Sequence, residues 1–259
     1  MTKWDAAQYM KFASERAKPC ADLIARIEME PPARIADLGC GPGNSTEQLH
    51  ARWPDAKITG VDSSTEMLDK AKADHPDWHW QQADIAHWAK WHTAGPFELV
   101  FSNSALHWVK NHEYQIPRLF EITTPGGVMA AQIPNHLKSE AHLQMAEVAA
   151  LPEWNEALRP ARFAMTVHTA DFYRDLLMPL AKRVEIWEHT YEHNMESADG
   201  VVEWLVGTGM RPYLDRLKSE QQIRFKLECR DRFAKVFPPD ANGQITMLYP
   251  RLFVVAYRK

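Results

Sequence analysis

Three cysteines in 259 residues are too few to build a disulfide framework; Cys20, Cys40 and Cys229 are odd in number and far apart. Such usage fits a reducing, cytoplasmic compartment. Long apolar runs are also absent. No stretch reaches the roughly 20 residues that a membrane-spanning helix requires, and residues 1–5 carry no apolar signal core. The expectation is a soluble, intracellular protein without a membrane partner. Excess positive charge is lacking: 30 Lys+Arg against 34 Asp+Glu give a net charge of −4, with no basic run. Nucleic acid is therefore not expected as a partner. Metal-ligand spacing is missing too, despite 12 histidines. His189 and His193 are four apart but sit in a strand-like setting, not on the helix that a zinc-protease motif needs, so no metal is expected. There is no internal repeat and no low-complexity linker.

What is present is an alternation of periods. The chain is 45% hydrophobic and long enough for one large domain, or for a domain with an inserted cap. Residues 4–28 place Cys20, Leu23, Ile24 and Ile27 at helical spacing, and Pro31-Pro32 ends that segment. Apolar runs and helical patterns then alternate as far as Pro134, with Val128 to Ile133 reading as the fifth strand after Pro125-Gly126-Gly127. Such alternation implies a parallel sheet covered on both faces. Beyond Pro134 the pattern changes. Residues 136–150 read as helix, 151–162 as an ordered loop around Pro152, Trp154 and Pro160, and 182–192 as strand. Residues 197–217 and 219–237 read as helices, the second with Phe225, Cys229, Phe233 and Val236 on one face. Asn242-Gly243 marks a turn before a last strand at 245–257.

The most specific local feature is the turn Asp37-Leu38-Gly39-Cys40-Gly41-Pro42-Gly43. Glycines at alternate positions tolerate positive φ and let the backbone approach a ligand where a Cβ would collide. A dinucleotide fingerprint wants Gly-x-Gly-x-x-Gly around a pyrophosphate. Here the third glycine comes one position early, and Asp37 precedes the turn. That carboxylate suits a cationic ligand better than a phosphate. Cys40 reads as a small loop-filling residue, with no base nearby in sequence to make it a nucleophile. Apolar residues 57–61 end in Asp62, where a carboxylate can accept both hydroxyls of a ribose. Ser63 and Glu66 follow at capping-box spacing. Gln82-Ala83-Asp84-Ile85 and then the strand-like 97–101, running into Ser102-Asn103-Ser104, bring further polar groups to the same edge.

Acidic-x-Gly-x-Gly-x-Gly resembles the first motif of the class I, Rossmann-like S-adenosylmethionine (SAM)-dependent methyltransferases, whose cofactor carries a sulfonium and an ammonium but no phosphate. The resemblance implies an α/β fold: a seven-stranded sheet, mostly parallel with its last strand antiparallel, and helical cap insertions. A single domain of residues 1–259 is expected. Its core would comprise approximately 30–135, 180–193 and 242–259, and its cap 1–29, 136–179 and 195–241. It also implies SAM binding by Asp37, Gly39, Gly41, Gly43, Asp62 and Ser63, with Asp84 and Ile85 at the adenine and Asn103 beside the methyl donor. S-adenosylhomocysteine would be the product.

Over nearly its whole length the chain further resembles a bacterial family within this class that methylates a small tricarboxylate. The likeness is carried by Trp4, Tyr9, Phe12, Ser14, Glu15 and Arg16, by residues 36–46, 58–60 and 62–64, by 207–214, and by Asn242-Gly243-Gln244 and Pro250-Arg251-Leu252-Phe253. It thins between residues 136 and 183. A tricarboxylate needs fixed positive donors, and guanidinium forks match carboxylates. Arg211, Arg251 and Arg16 are the candidates, with Tyr9, Tyr213 and His107 as hydrogen-bond donors. A carboxylate is already ionised at neutral pH, so no general base is expected. Two alternatives stay open: another small acid or hydroxyl acceptor, or a non-catalytic SAM-binding regulator.

Overall fold

The computed structural model describes residues 13–91 and 96–259. Tyr9, with Trp4 and Phe12, lies outside the described residues. Strands β1 (Arg34–Leu38), β2 (Lys57–Asp62), β3 (His79–Gln82), β4 (Phe97–Asn103), β5 (Thr123–Pro134), β6 (Ala181–Met195) and β7 (Ile245–Arg258) form one seven-stranded sheet in the order β3-β2-β1-β4-β5-β7-β6. The pairs from β3 to β5 are parallel, and β7 runs antiparallel to β5. The sheet is of the Rossmann-like type that the resemblance implied.

Local sequence explains the main elements. β1 is buried from Ile35 to Leu38, as a parallel strand covered by helices must be, and after Arg34 reads as an apolar run broken by one acid, Asp37. From β1 the chain steps outward through β2 and β3, then returns to the other side of β1 for β4 and β5. The order therefore reverses between β1 and β4, and ligands of open α/β sheets bind outside the carboxyl ends of strands at such a reversal.

Packing divides the chain into two compact units. One comprises Ala13–Pro134, His168–His189 and Arg251–Lys259; the described part of the other is Asn135–Val167 and Thr190–Pro250. In the first, α1 (Ala13–Ala25) buries Cys20, Leu23 and Ile24 and packs on α2 (Asn44–Arg52) and β5. α3 (Thr65–Asp74), α4 (Ile85–Trp91), α5 (His112–Glu121) and α8 (Ala170–Leu177) belong to the same unit.

In the second unit, α6 (Glu140–Val148) and α9 (Ala198–Val206) pack against α11 (Ser219–Val236). α11 buries Phe225, Cys229 and Phe233, one helical turn apart. Also here are α7 (Pro152–Leu158), whose Trp154 indole donates to Glu228 at 2.6 Å, and the short α10 (Arg211–Leu214).

Four local expectations need correction. The cap of α3 is Ser64, not Ser63: its hydroxyl accepts from the Met67 N–H at 3.3 Å, because Ser64 N–H is already turned onto the Asp62 carboxylate. Residues 152–158 form helix α7, since Pro152 stands at a first-turn position where its missing N–H costs nothing. Residues 197–217 form two helices instead of one. The break falls at 207–210, where a Cβ on Gly209 would lie 2.4 Å from His142 Nε2. Finally, β5 begins at Thr123, before the Pro-Gly-Gly turn, with a register shift opposite Phe97 and Leu99.

Candidate functional site

The glycine turn is pinned to the end of β2. Gly39 and Cys40 N–H groups both donate to the Val61 carbonyl, at 2.7 and 3.1 Å, and the Gly41 N–H donates to Asp62 Oδ2 at 2.9 Å. Asp62 Oδ1 accepts from the Ser64 N–H at 2.8 Å. Burial pushes the Asp62 carboxyl up, opposed by these backbone donors. The glycines do different work. At Gly39, φ is +74° and a Cβ would fall 2.1 Å from that of Ala105, so the turn after β1 touches the elbow after β4. At Gly41, φ is +56° and a Cβ would meet nothing within 4 Å among the described residues, which leaves its backbone open to a ligand. Gly43 caps α2 with φ 102° under the Trp80 ring.

Asp37 is fully buried beneath this turn. Its Oδ2 accepts from the hydroxyls of Ser45 and Thr46, both at 2.7 Å, while Oδ1 has no hydrogen-bond partner among the described residues. Burial pushes its carboxyl up to about 6; the two hydroxyls oppose the rise and the Asp62 charge adds to it. Ser45 and Thr46 sit in the first turn of α2, where the helix dipole also favours an anion. Asp84, by contrast, is exposed: it accepts from the Ala86 N–H at 2.9 Å and meets His87 at 3.4 Å, next to the buried Ile85.

At the elbow after β4, register pairs Asn103 with Gln132 of β5. The Asn103 Oδ1 atom is buried and has no hydrogen-bond partner among the described residues. Ser104, next in the chain, has φ 56°, uncommon for a residue with a side chain. Its N–H donates to the Gln132 carbonyl at 3.0 Å and its hydroxyl to Gln132 Oε1 at 2.7 Å. Arg251 of β7, 3% exposed, donates from Nη1 to Ser104 Oγ at 3.0 Å and to Gln132 Oε1 at 3.2 Å. The buried His107 follows in a 3-10 turn at Leu106–Trp108. That turn is held by the wholly buried His112, whose Nε2 meets the Leu106 carbonyl at 2.9 Å and whose Nδ1 meets the Tyr173 hydroxyl at 2.7 Å. Desolvation pushes His112 down, so it stays neutral and serves as a fixed bracket.

Asp37, Gly39, Gly41, Gly43, Asp62, Ser63, Asp84, Ile85, Asn103, His107 and Arg251 thus all lie in one compact unit. Arg16, buried on α1, belongs to it as well. Arg211 and Tyr213 belong to the other unit; Arg211 is buried at the start of α10, and Tyr213 stacks on Phe225 at 5.8 Å, its hydroxyl pushed up to about 12 by burial. Sequence reasoning named Ser104 only as part of the polar elbow and missed Ser45, Thr46 and Gln132. For Gln132 a signal existed: it is the one polar residue in the apolar run from Val128 to Ile133. A cavity of about 390 Å³ opens at the opposite, amino-terminal edge of the sheet, beside Arg34, Lys57 and His79, and none of the candidate residues lines it. Among the described residues no group of three or more His, Cys, Asp or Glu side chains could hold a metal ion, and no helix is long and apolar enough to cross a membrane.

Comparison with known proteins agrees with this geometry. A family model described as "Methyltransferase domain" matches residues 35–127, from β1 through the glycine turn and elbow into β5. The fold is shared with the YcgJ protein of Bacillus subtilis, at TM-score 0.59 and 14% identity over 93% of this chain and 99% of that one. Phosphoethanolamine N-methyltransferase 2 of Haemonchus contortus, solved with S-adenosyl-L-methionine, gives 0.56 and 14% over 93% of this chain and 53% of that one. Fold and site together define a Rossmann-like methyltransferase. Trans-aconitate 2-methyltransferase of Rhodopseudomonas palustris (strain BisB18) is 42% identical over 259 residues, 100% of both chains. The protein of that name from Paracidovorax citrulli (strain AAC00-1) is 41% identical over 260 residues, 100% of this chain and 99% of the other. The chain belongs to the trans-aconitate 2-methyltransferase family.

Proposed function

We propose that this chain transfers the methyl group of SAM to one carboxylate of trans-aconitate, giving a monomethyl ester and S-adenosylhomocysteine. The observation that carries the reading is the buried guanidinium of Arg251 bonded to Ser104, one residue from Asn103 at the strand-order reversal. It sets a fixed carboxylate donor beside acceptors suited to a cationic, phosphate-free cofactor. Those acceptors are Asp37 Oδ1 and Asn103 Oδ1, both buried without a partner among the described residues, and they fit SAM; so does the open backbone at Gly41. Asp62 would hold the ribose through the second lone pairs of its oxygens, Gly39, Gly43 and Ser63 would shape the wall, and Asp84 with Ile85 would meet the adenine.

When bound, SAM supplies an electrophilic methyl on a sulfonium. The chain's own task is to align a nucleophile that needs no deprotonation and to exclude water, an orienting role that supplies a large part of many enzymatic rate enhancements. Arg251 and Arg16 grip carboxylates other than the attacking one, because a tight ion pair would blunt its nucleophilicity. His107 adds a polar contact at the elbow. Arg211 and Tyr213 are separate candidates in the second unit, judged by the same assay. The acceptor is a metabolite, and three buried free cysteines fit a reducing cytoplasm.

Labelled SAM offered with trans-aconitate, cis-aconitate, citrate and isocitrate, with products read by mass spectrometry, tests the reading. Label in trans-aconitate monoester is expected. Label in another acid alone would name a different acceptor, and SAM binding without transfer to any would make the chain a non-catalytic binder.

A further inference from the structure

Gln132 is wholly buried in β5, opposite Asn103 of β4 and Phe253 of β7. Its Oε1 accepts two bonds, from the Ser104 hydroxyl and from Arg251 Nη1. A guanidinium can only donate, so the atom facing it must be the oxygen, and the amide orientation is fixed. Its Nε2, the other arm of the amide, is buried and without a hydrogen-bond partner among the described residues. A buried donor left unmade costs about 1–3 kcal/mol, which a methionine or leucine of similar volume would avoid. The same side chain also secures Ser104 in its left-handed backbone, at φ 56°.

We infer that Gln132 is a specificity-determining residue for the acceptor: its carbonyl oxygen seats Arg251, and its Nε2 donates to the same substrate carboxylate that Arg251 holds. This rests on the methyl-transfer reading above and adds a residue and a role to it. One charged donor and one neutral donor make a two-point site for a carboxylate that is gripped and not methylated. The neutral partner can donate only to an acceptor oxygen, so it rejects a substrate that presents an N–H there.

The test uses the full chain and labelled SAM. Gln132→Met removes both contacts and should raise the trans-aconitate KM by roughly 10-fold, the worth of one hydrogen bond to a charged group. Gln132→Glu keeps an oxygen for Arg251 but sets an anion against the substrate, and should raise KM by roughly 100-fold. A monoamide of the acceptor, whose N–H can donate to the new glutamate, should lose far less, so the preference for monoamide over triacid rises in Gln132→Glu. S-adenosylhomocysteine affinity, measured by calorimetry, should stay at the wild-type value in both variants. A purely structural glutamine cannot produce that exchange of preference. Wild-type KM for the triacid in Gln132→Glu overturns the inference. So does a rise in KM matched by lost S-adenosylhomocysteine affinity, which would assign Nε2 to Asn103 and the scaffold. If neither variant folds, the wild type decides alone: it must disfavour at least one of the three positional monoamides by about 10-fold or more, and equal turnover of all three overturns the inference. Wild type that methylates no tricarboxylate fails the wider reading, and this inference with it, before any variant is made.

Discussion

Along β1 and β2 the carboxyl edge of the sheet ends in acids held by neutral donors, Asp37 by two hydroxyls and Asp62 by two backbone N–H groups. Along β5 and β7 the same edge carries a base, Arg251, bonded to the neutral oxygens of Ser104 and Gln132. The two regions thus carry opposite charge, and the proposed function gives them opposite ligands, a cationic cofactor and an anionic acceptor. In both, neutral partners fix the direction of a buried ionic group.

The contrast can be broken most sharply where the two regions touch, at Gly39 and Ala105. Gly39→Ala drives a methyl group into the Ala105 side chain at 2.1 Å and strains φ +74°. It should cost several kcal/mol, about 3 or more, and abolish S-adenosylhomocysteine binding. Gly41→Ala meets no neighbour within 4 Å and should cost only about 1–2 kcal/mol for its positive φ. Thermal unfolding of both variants beside wild type checks the pair; equal losses would mean that the turn does not touch the elbow.

Next in size is Arg251→Ala, which should raise the trans-aconitate KM by roughly 100-fold while S-adenosylhomocysteine affinity holds. Unchanged KM for both Arg251→Ala and Arg211→Ala in folded protein would remove the arginines from acceptor binding.

A smaller effect follows from pH. Asp37 titrates near 6 in the folded chain against an ordinary 3.8, so the folded state keeps a proton that the unfolded state has lost. Its contribution to stability is full below about pH 4, declines as pH rises, and is gone above about pH 6, a change on the order of 3 kcal/mol. A sulfonium ligand prefers the ionised form and works in the other sense. SAM affinity should rise between pH 5 and 6.5 by about tenfold, more steeply than that of S-adenosylhomocysteine, which lacks the sulfonium. Calorimetric titrations across that range, repeated on Asp37→Asn, would show the slope and its disappearance.

The smallest effect belongs to Asp84→Ala. That side chain is exposed and makes one backbone contact and one histidine contact, so stability should move by about 1 kcal/mol or less. SAM affinity should fall several-fold; an unaltered affinity in titration would take Asp84 out of the adenine site.

The same two regions differ in how much of them could be read from the chain alone. Asp37, the three glycines and Asp62 fall within a short stretch whose spacing states its geometry, because a strand, a tight turn and a helix start follow in order. The fold was legible for a similar reason: β1, β2, β4 and β5 each hold a buried, largely apolar run, and the runs alternate with helices, while only β3, His-Trp-Gln-Gln at the sheet edge, departs from that pattern among the parallel strands. The elbow is different. Its bonds join Gln132 to Ser104 across 28 residues and to Arg251 across 119, and no local pattern encodes which strand β7 will lie against. Arg251 could be suspected from its apolar surroundings, whereas Gln132 was marked only by being the one polar residue in an apolar run. Pro152 misled in the opposite direction, since a proline that would break a helix interior opens one at its first turn.

The antiparallel pairing that sets Arg251 opposite Pro134 also has a kinetic consequence. Ribosomes deliver the glycine turn and its acids early, and those contacts close over few residues. The guanidinium comes only after about 250 residues have been made, and its contacts, far apart in sequence, form more slowly than local ones. A nascent chain can therefore hold the edge proposed for the cofactor while it still lacks the group proposed to grip the acceptor, so during synthesis the ability to bind SAM should precede the ability to choose what receives the methyl group.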